Sequence, residues 1–351
     1  MDKDRIAAIV VSFNRRALLQ ECIEGLLSQT RPLDAIYVID NGSNDGSREY
    51  LSSIEARHDN VIAVLSNTNL GGAGGFSLGL QKAYEKGFDW YWLMDDDAEP
   101  MADALEHLML SDDASRQDVV AMCGAVWGID SRLQFWHQGT FDERMNPVVA
   151  TPANHAAPSF GIGYMSFVGA CIRHHAVQKV GFPLKEYFVW NDDVEYTARL
   201  SKIGEVRCVT AARMLHKDRE TRDVAPGSLS LREWYETRKM PAAAQWKHAC
   251  GTRNFVDMVF RHRGRALLWA ASLFARRIGR VLIFGERNPL VIGLYIRYFQ
   301  QAIGLKPFET VLPSDWKKQL SEAKDRVKPA QKRDARGQET SVRVMSDRDS
   351  V

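Results

Sequence analysis

Trp90-Tyr91-Trp92-Leu93-Met94-Asp95-Asp96-Asp97 is the stretch on which the reading of this chain turns. Its apolar run suits a strand covered on both faces, and three carboxylates follow it without a break. Adjacent carboxylates repel one another, so an ordered loop that gathers them calls for a cation. Carboxylate oxygens suit Mg²⁺ or Mn²⁺, ions that bridge protein carboxylates to substrate phosphates. Along an extended segment Asp95 and Asp97 share one side and Asp96 takes the other. An acidic triplet by itself is more often a solvated turn; what distinguishes this one is its place at the carboxyl end of a strand.

Upstream, the same alternation repeats. A β-branched run at 6–12 reads as a buried strand, and 17–28 as a helix with Leu18, Cys22 and Leu26 on one stripe. Residues 35–39 form a second strand ending in the turn Asp40-Asn41-Gly42-Ser43, 47–54 a short helix, and 61–65 a third strand. Asn69-Leu70-Gly71-Gly72-Ala73-Gly74-Gly75 follows, with a helix expected near 76–86. Strands alternating with helices predict an α/β fold with a mostly parallel central sheet. In such sheets ligands sit at the carboxyl ends of the strands, so the Asp40 turn, the glycine run and the Asp95 triplet are expected to converge.

Downstream the pattern is mixed: strands near 119–126, 163–172 and 206–210, and a helix near 193–203 opened by Trp190-Asn191-Asp192-Asp193-Val194-Glu195. Acidic residues at a helix start favour the macrodipole, which is one explanation of that motif. The other is that one carboxylate, its pKa raised by enclosure, takes a proton from an acceptor hydroxyl. His216, after the apolar 211–215, is either a structural polar residue or the further ligand that a carboxylate-bound metal needs. The glycine run fails the dinucleotide fingerprint, since Ser77 stands where a glycine is required, and it lacks the Gly-Lys-Ser/Thr ending of a P-loop. It is left as a side-chain-free loop around Asn69 and Gly72 that lets a sugar or phosphate reach the backbone, or as a device for close helix–sheet packing.

The order and spacing of Val10-Val11-Ser12-Phe13-Asn14-Arg15, Val38-Ile39-Asp40-Asn41-Gly42-Ser43 and Leu93-Met94-Asp95-Asp96-Asp97 resemble family-2 glycosyltransferases of the GT-A fold. Within that family, the glycine run and Asn191-Asp192-Asp193-Val194-Glu195 are similar to bacterial galactofuranosyltransferases; rhamnosyltransferases using dTDP-rhamnose share much of the pattern. The likeness runs from about 6 to 216, and more faintly to Arg253-Asn254. It implies that Asp40 contacts uracil, that Phe13 and Arg15 line the nucleotide pocket, and that Asp95, Asp97 and His216 hold Mn²⁺ or Mg²⁺. Asp96 would lie toward the donor, Trp190 would form part of the acceptor platform, and Asp193, or alternatively Asp192, would be the general base. The implied reaction is an inverting transfer from a UDP-sugar, expected to be UDP-galactofuranose, to a glycan or lipid-linked acceptor in cell-envelope polysaccharide synthesis. Asn191, just before the acidic pair, is where relatives vary most.

Composition agrees with an enzyme of this kind. The chain has 351 residues, 45% hydrophobic and 26% charged, enough for a large core, and a net charge of +2 that argues against bulk binding of nucleic acid. Five scattered cysteines without C-x-x-C spacing point to a reducing cytoplasm. No leader pattern and no membrane-length apolar run is evident. Three regions are expected: a catalytic domain over 1–220, a helical region over 221–313, and a charged, disordered tail over 314–351. Between Arg261 and Arg287 lie seven arginines and a single glutamate. A helical wheel there sets Leu267, Ala271, Phe274, Ile278 and Val281 opposite Arg265, Arg276 and Arg280. Such a helix suits either packing on the catalytic domain or an anionic membrane surface, on the inner face of the plasma membrane. A nucleotidyltransferase would need a glycine-rich loop where Ser12-Phe13-Asn14-Arg15-Arg16 stands, and a silent glycan- or membrane-binding scaffold would have lost acidic residues that are all present.

Overall fold

Alternate residues of the first strand serve different cores. Ile6, Ala8 and Val10 pack on one side, Ala7, Ile9 and Val11 on the other, so the strand tolerates no polar residue before Ser12. The computed structural model describes residues 4–143, 145–217, 240–264, 267–285 and 288–327. The strands are β1 (Ile6–Ser12), β2 (Ala35–Asp40), β3 (Val61–Leu65), β4 (Trp90–Asp95), β5 (Ala98–Pro100), β6 (Val119–Gly128), β7 (Gln138–Phe141), β8 (Pro147–Val149), β9 (Ser159–Ile162), β10 (Tyr164–Met165), β11 (Val168–Arg173) and β12 (Glu205–His216). The helices are α1 (Arg16–Leu27), α2 (Ser47–Glu55), α3 (Gly71–Tyr84), α4 (Ala104–Leu110), α5 (Asp112–Ser115), α6 (Pro152–His155), α7 (His174–Val180), α8 (Asp192–Leu200), α9 (Ala242–Arg263), α10 (Leu267–Phe284), α11 (Pro289–Ala302) and α12 (Pro313–Val327).

The main sheet runs β3-β2-β1-β4-β11-β6-β12-β5, with β9 also paired to β12. Strands β3, β2, β1, β4, β6 and β12 point one way, and β11, β5 and β9 oppose them. From β1 the chain first builds outward through β2 and β3, then returns to lay β4 on the other flank. The gap between the carboxyl ends of β1 and β4 is therefore a topological switch point, where a ligand crevice forms. Val11 is in register with Asp95, and Ser12 with Asp40, so the ends of β1, β2 and β4 stand level. One face of the sheet buries Leu19, Cys22, Ile23 and Leu26 of α1 and Leu51 of α2; the other buries Phe76 and Leu80 of α3 and Tyr196 and Leu200 of α8.

The expected loop at 71–75 is instead the first turn of α3. Its glycines do different things. A Cβ on Gly79 would lie 2.6 Å from Ile9 Cγ2 and 2.8 Å from Ile39 Cγ1, and one on Gly75 would lie 2.5 Å from Val11 Cγ1. These two bring the helix down onto β1 and β2. Gly71 adopts φ +72° with its Cα against the Phe188 carbonyl, and Gly72 alone faces open space.

The C-terminal helices through Thr310 belong to the same compact unit as the sheet, and a second unit, Val311–Val351, contains α12. Residues 314–327, read as tail, are thus largely helical; the expected boundary at 220/221 and everything past 327 lie outside the described residues. In α10, Phe274 stacks on Phe299 of α11 with ring centroids 4.4 Å apart, and Val281 is buried. The apolar stripe read from the wheel therefore turns partly inward. No described helix is long and apolar enough to cross a membrane.

The glycine geometry sets an expectation. Gly79→Ala should lower unfolding free energy by about 1–3 kcal/mol, the range for overpacking a filled core. Gly72→Ala should leave it unchanged or raise it by up to about 1 kcal/mol through helix propensity. Urea denaturation of both variants checks the contrast.

Candidate active site

The crevice is built from strand ends and the acids that follow them. Asp96 N donates to Val11 O and Asn41 N to Ser12 O, tying the three strand ends together. Asn14, with φ 53°, locks the β1–α1 connection to the β2 turn: its N–H donates to Ser43 Oγ at 2.9 Å, and its Oδ1 accepts from Asn44 N at 2.8 Å. Phe13 is 41% exposed at this edge. Arg15 Nη1 donates to Asp97 Oδ2 at 2.6 Å and to Asp96 Oδ1 at 3.4 Å, so one guanidinium spans two acids of the triplet.

Burial acts against charge throughout the triplet. Asp95 is raised well above the carboxylate range by desolvation, then by Asp97, Asp96, Asp192 and Asp193. Asp96 is pushed up to about 6 by desolvation, with Arg15 pulling the other way. Asp97 Oδ1 is buried without a hydrogen-bond partner and lies 3.6 Å from His216 Nε2. At the end of β12, His216 Nδ1 lies 3.1 Å from Gln134 Oε1. That contact orients the ring so that Nε2 faces Asp97. Gln134 Oε1 also accepts from His137 Nε2 at 2.9 Å. A buried carboxylate oxygen without a hydrogen-bond partner, beside an imidazole nitrogen, is a donor set that suits a divalent cation. Among the described residues no third His, Cys, Asp or Glu joins them in a metal-holding cluster.

The second acidic pair reaches the same place from α8. Its turn is unusual: Phe188, Trp190 and Asn191 have φ of 63°, 65° and 65°, a conformation costing about 1–3 kcal/mol per non-glycine residue. Asp192 is buried and pushed up to about 8, by desolvation and then by Asp193. Asp193 is half-buried and pushed up to about 6 by desolvation, opposed by the Val194 N–H it accepts at 2.7 Å. Asp193 is the more exposed of the two and the less strongly raised, while burial and its neighbour's charge both push Asp192 toward its neutral form. Of the two, Asp193 has the properties of a base.

Other expected site residues fall differently. Asp40 has no exposed surface; its Oδ2 accepts from Arg48 Nε at 2.8 Å and from Gly42 N at 3.2 Å, and Ser43 N also donates to the carboxylate. It holds the turn from inside, with Arg48 and the turn's own N–H groups on its carboxylate. Its neighbour Asn41, which the sequence reading of this motif passed over, has a buried Oδ1 with no partner, while its Nδ2 donates to Gly71 O at 3.0 Å. Asn69 Oδ1 accepts from Gly71 N at 2.8 Å and so shapes the entry to α3. Trp190 is 36% exposed; Lys247 Nζ lies 4.8 Å from its ring centroid, and His248 meets it edge-on.

A switch-point crevice with an acidic strand end on one side and an acidic helix start on the other defines a nucleotide-sugar transferase of the GT-A class, and solved structures share its fold. GalNAc-T7, crystallised with UDP, GalNAc and Mn²⁺, superposes with a TM-score of 0.56 at 15% identity, covering 86% of this chain and 56% of that one. S. aureus TarS 1–349 superposes at 0.50 with 14% identity, covering 86% and 81%. Residues 7–181 match glycosyl transferase family 2, and the chain belongs to that family. Among its relatives, galactofuranosyltransferase GlfT1 of Mycolicibacterium smegmatis is 33% identical over 59% of this chain and 69% of its own length. The Mycobacterium tuberculosis GlfT1 is 32% identical over 57% and 66%.

The raised Asp192 carries a stability consequence. A carboxyl whose folded pKa of about 8 exceeds its unfolded value of about 3.9 costs the fold nothing at low pH and progressively more as pH rises between the two values. Asp192→Asn should therefore raise Tm, with a gain that grows from about pH 4 to about pH 8 and then levels off. Thermal unfolding of both proteins across that range measures it.

Proposed function

We propose that this chain is an inverting galactofuranosyltransferase, moving the sugar of UDP-galactofuranose onto a hydroxyl of a glycan or lipid-linked acceptor in cell-envelope polysaccharide synthesis. The observation that carries the reading is the convergence of Asp95 with Asp192 and Asp193: acids from the donor side and from the opposite helix feel one another's charge across one crevice. The identity to two galactofuranosyltransferases supports the choice of sugar.

In this reading Phe13, Arg15 and Asn41 line the nucleotide pocket, Asn69 and Gly72 border the donor, and Asp96 lies toward it. Trp190 forms part of the acceptor platform. Asp193 takes the proton of the acceptor hydroxyl as its oxygen attacks the anomeric carbon. The bond from that carbon to the diphosphate breaks, and UDP departs from the opposite face. One displacement inverts the centre, and no second carboxylate nucleophile is required. Asp97 and His216 would hold Mn²⁺ or Mg²⁺, and Asp95, which the family resemblance implies as a further ligand, stands two residues before Asp97; the ion would supply charge neutralisation on the departing diphosphate.

The same reading accommodates a peripheral place on the inner face of the plasma membrane. Although Phe274 and Val281 turn inward, the outer side of α10 carries Leu268 at 89%, Ile283 at 57% and Leu282 at 43% exposure, beside the exposed Arg276 and Arg280. Apolar side chains flanked by guanidinium groups complement an anionic lipid surface. Vesicles containing anionic lipid should float the wild-type protein at low salt and release it as salt rises. A Leu268→Asp/Arg276→Glu/Arg280→Glu variant should stay at the bottom, and equal flotation of the two would remove the membrane from this helix.

The central test is a donor screen. UDP-galactofuranose should be turned over in preference to dTDP-rhamnose and other nucleotide sugars, with activity lost on chelation and restored by Mn²⁺. Asp193→Asn should lower transfer by about 100- to 10,000-fold with UDP affinity kept. Asp97→Asn should weaken metal-dependent UDP binding as well. Full turnover by metal-free protein would refute the metal assignment, and preference for dTDP-rhamnose would refute the sugar.

A further inference from the structure

The turn that delivers Asp192 and Asp193 is held almost entirely by one stretch of α9, a helix far away in sequence. Asn254, fully buried, donates through Nδ2 to three successive parts of the turn: Tyr187 O at 2.8 Å, Val189 O at 3.0 Å and Trp190 O at 2.8 Å. Arg253, 1% exposed, adds Nη2 contacts to Glu186 O at 3.0 Å and Tyr187 O at 3.3 Å. Its Nε donates to Asn254 Oδ1 at 3.0 Å, which fixes the amide so that its NH₂ faces the turn.

The guanidinium is itself immobilised. Nη1 reaches Gln301 Oε1 at 3.2 Å and Thr310 Oγ1 at 3.0 Å, and the plane lies 4.7 Å from the ring centroids of both Tyr298 and Phe308. One turn earlier on α9, Gly251 O accepts from Asn191 Nδ2 at 3.0 Å, and a Cβ on Gly251 would lie 2.6 Å from Trp190 Cε3. On its other side the turn meets the glycine run: Phe188 O accepts from Ala73 N at 3.3 Å and fills the space that a Cβ on Gly71 would need.

Left-handed backbone at Phe188, Trp190 and Asn191 persists only where its surroundings over-determine it. Here the surroundings are carbonyl-directed donors from two adjacent side chains, each with its own fixed partner. We propose that Arg253 and Asn254 are positioning residues for sugar transfer: they hold the Phe188–Asn191 turn in its left-handed form and thereby aim the start of α8 at the crevice. The helical region beyond the sheet is on this account part of the catalytic apparatus, acting through the backbone of the turn. The proposal rests on Asp193 being the base.

Two variants test it. Asn254→Ala removes the amide and its three contacts; Gly251→Ala keeps that amide and displaces the Trp190 ring, and it decides the matter if Asn254→Ala does not fold. Both should lower kcat by about 10- to 100-fold, the scale of a misplacement of about 1 Å originating outside the reacting groups. UDP affinity in the presence of Mn²⁺, measured by calorimetry, should change by less than about two-fold, because the donor-side residues are untouched. The acid limb of the kcat profile, expected near the value of about 6 for Asp193, should move to lower pH as the loosened turn admits water beside Asp192, Asp95 and Tyr164. A fall in Tm with kcat and the acid limb as in wild type would make the contacts purely structural and overturn the proposal. Equal loss of UDP affinity and kcat would do so too. Full transfer by Asp193→Asn in the same series would instead overturn the base assignment beneath it.

Discussion

Mutual repulsion among carboxylates is the constraint on which the rest of this structure depends. Asp95, Asp96 and Asp97 are carried to the crevice by a strand, and Asp192 and Asp193 by a helix start, and most of these groups are withdrawn from water. Left to themselves they would separate or protonate. The protein answers with one guanidinium, Arg15, across two of them, with a raised pKa at Asp192 that favours its neutral form, and with a turn held in a costly conformation from behind. Each answer leaves a particular group available. Asp193 remains half-exposed, and Asp97 Oδ1 remains without a hydrogen-bond partner beside His216.

The parallel half of the fold was legible because its signal is local. An unbroken apolar run followed by polar turn residues identifies a strand buried on both faces, and β1, β2 and β4 carry it at the expected places, with the partly buried β3 at the edge beside them. The convergence of their carboxyl ends followed from topology alone. What was misread there was glycine: Gly71 to Gly75 look like a loop by composition, yet Gly75 and Gly79 bring α3 onto Ile9, Val11 and Ile39, a reason visible only once the partners are known. Asp40 and Asn41 show the same limit at finer scale. Adjacent in one motif, they differ in that Arg48 occupies the carboxylate while the amide oxygen stays open, and no spacing rule separates them.

The site residues that sequence reasoning missed act across long separations. Gln134 orients His216 from 82 positions away, and Asn254 reaches the turn from 64 to 67 positions away. Polar residues of these types are too common for any pattern to mark them. The Arg253-Asn254 pair did stand out by resemblance, but its chemical meaning required the three left-handed residues opposite it. For α10, periodicity showed an apolar stripe without showing which way it faced, because the helix is apolar on its outer side as well.

The topology also orders events in time. Strands β1 to β4, with Arg15 already beside its acids, are complete within the first hundred residues, whereas β11 inserts next to β4 and β6 only later, and β12 after it. Chains leave the ribosome from the N-terminus and fold as they emerge. The first acidic cluster is therefore synthesised, with Arg15 beside two of its members, before the second acidic pair exists. Asp192 and Asp193 are made after that cluster, and α9, which restrains them, emerges later still. α9 is thus the last of these elements to be synthesised, so the turn before α8 lacks its contacts to Arg253 and Asn254 until translation has passed that helix.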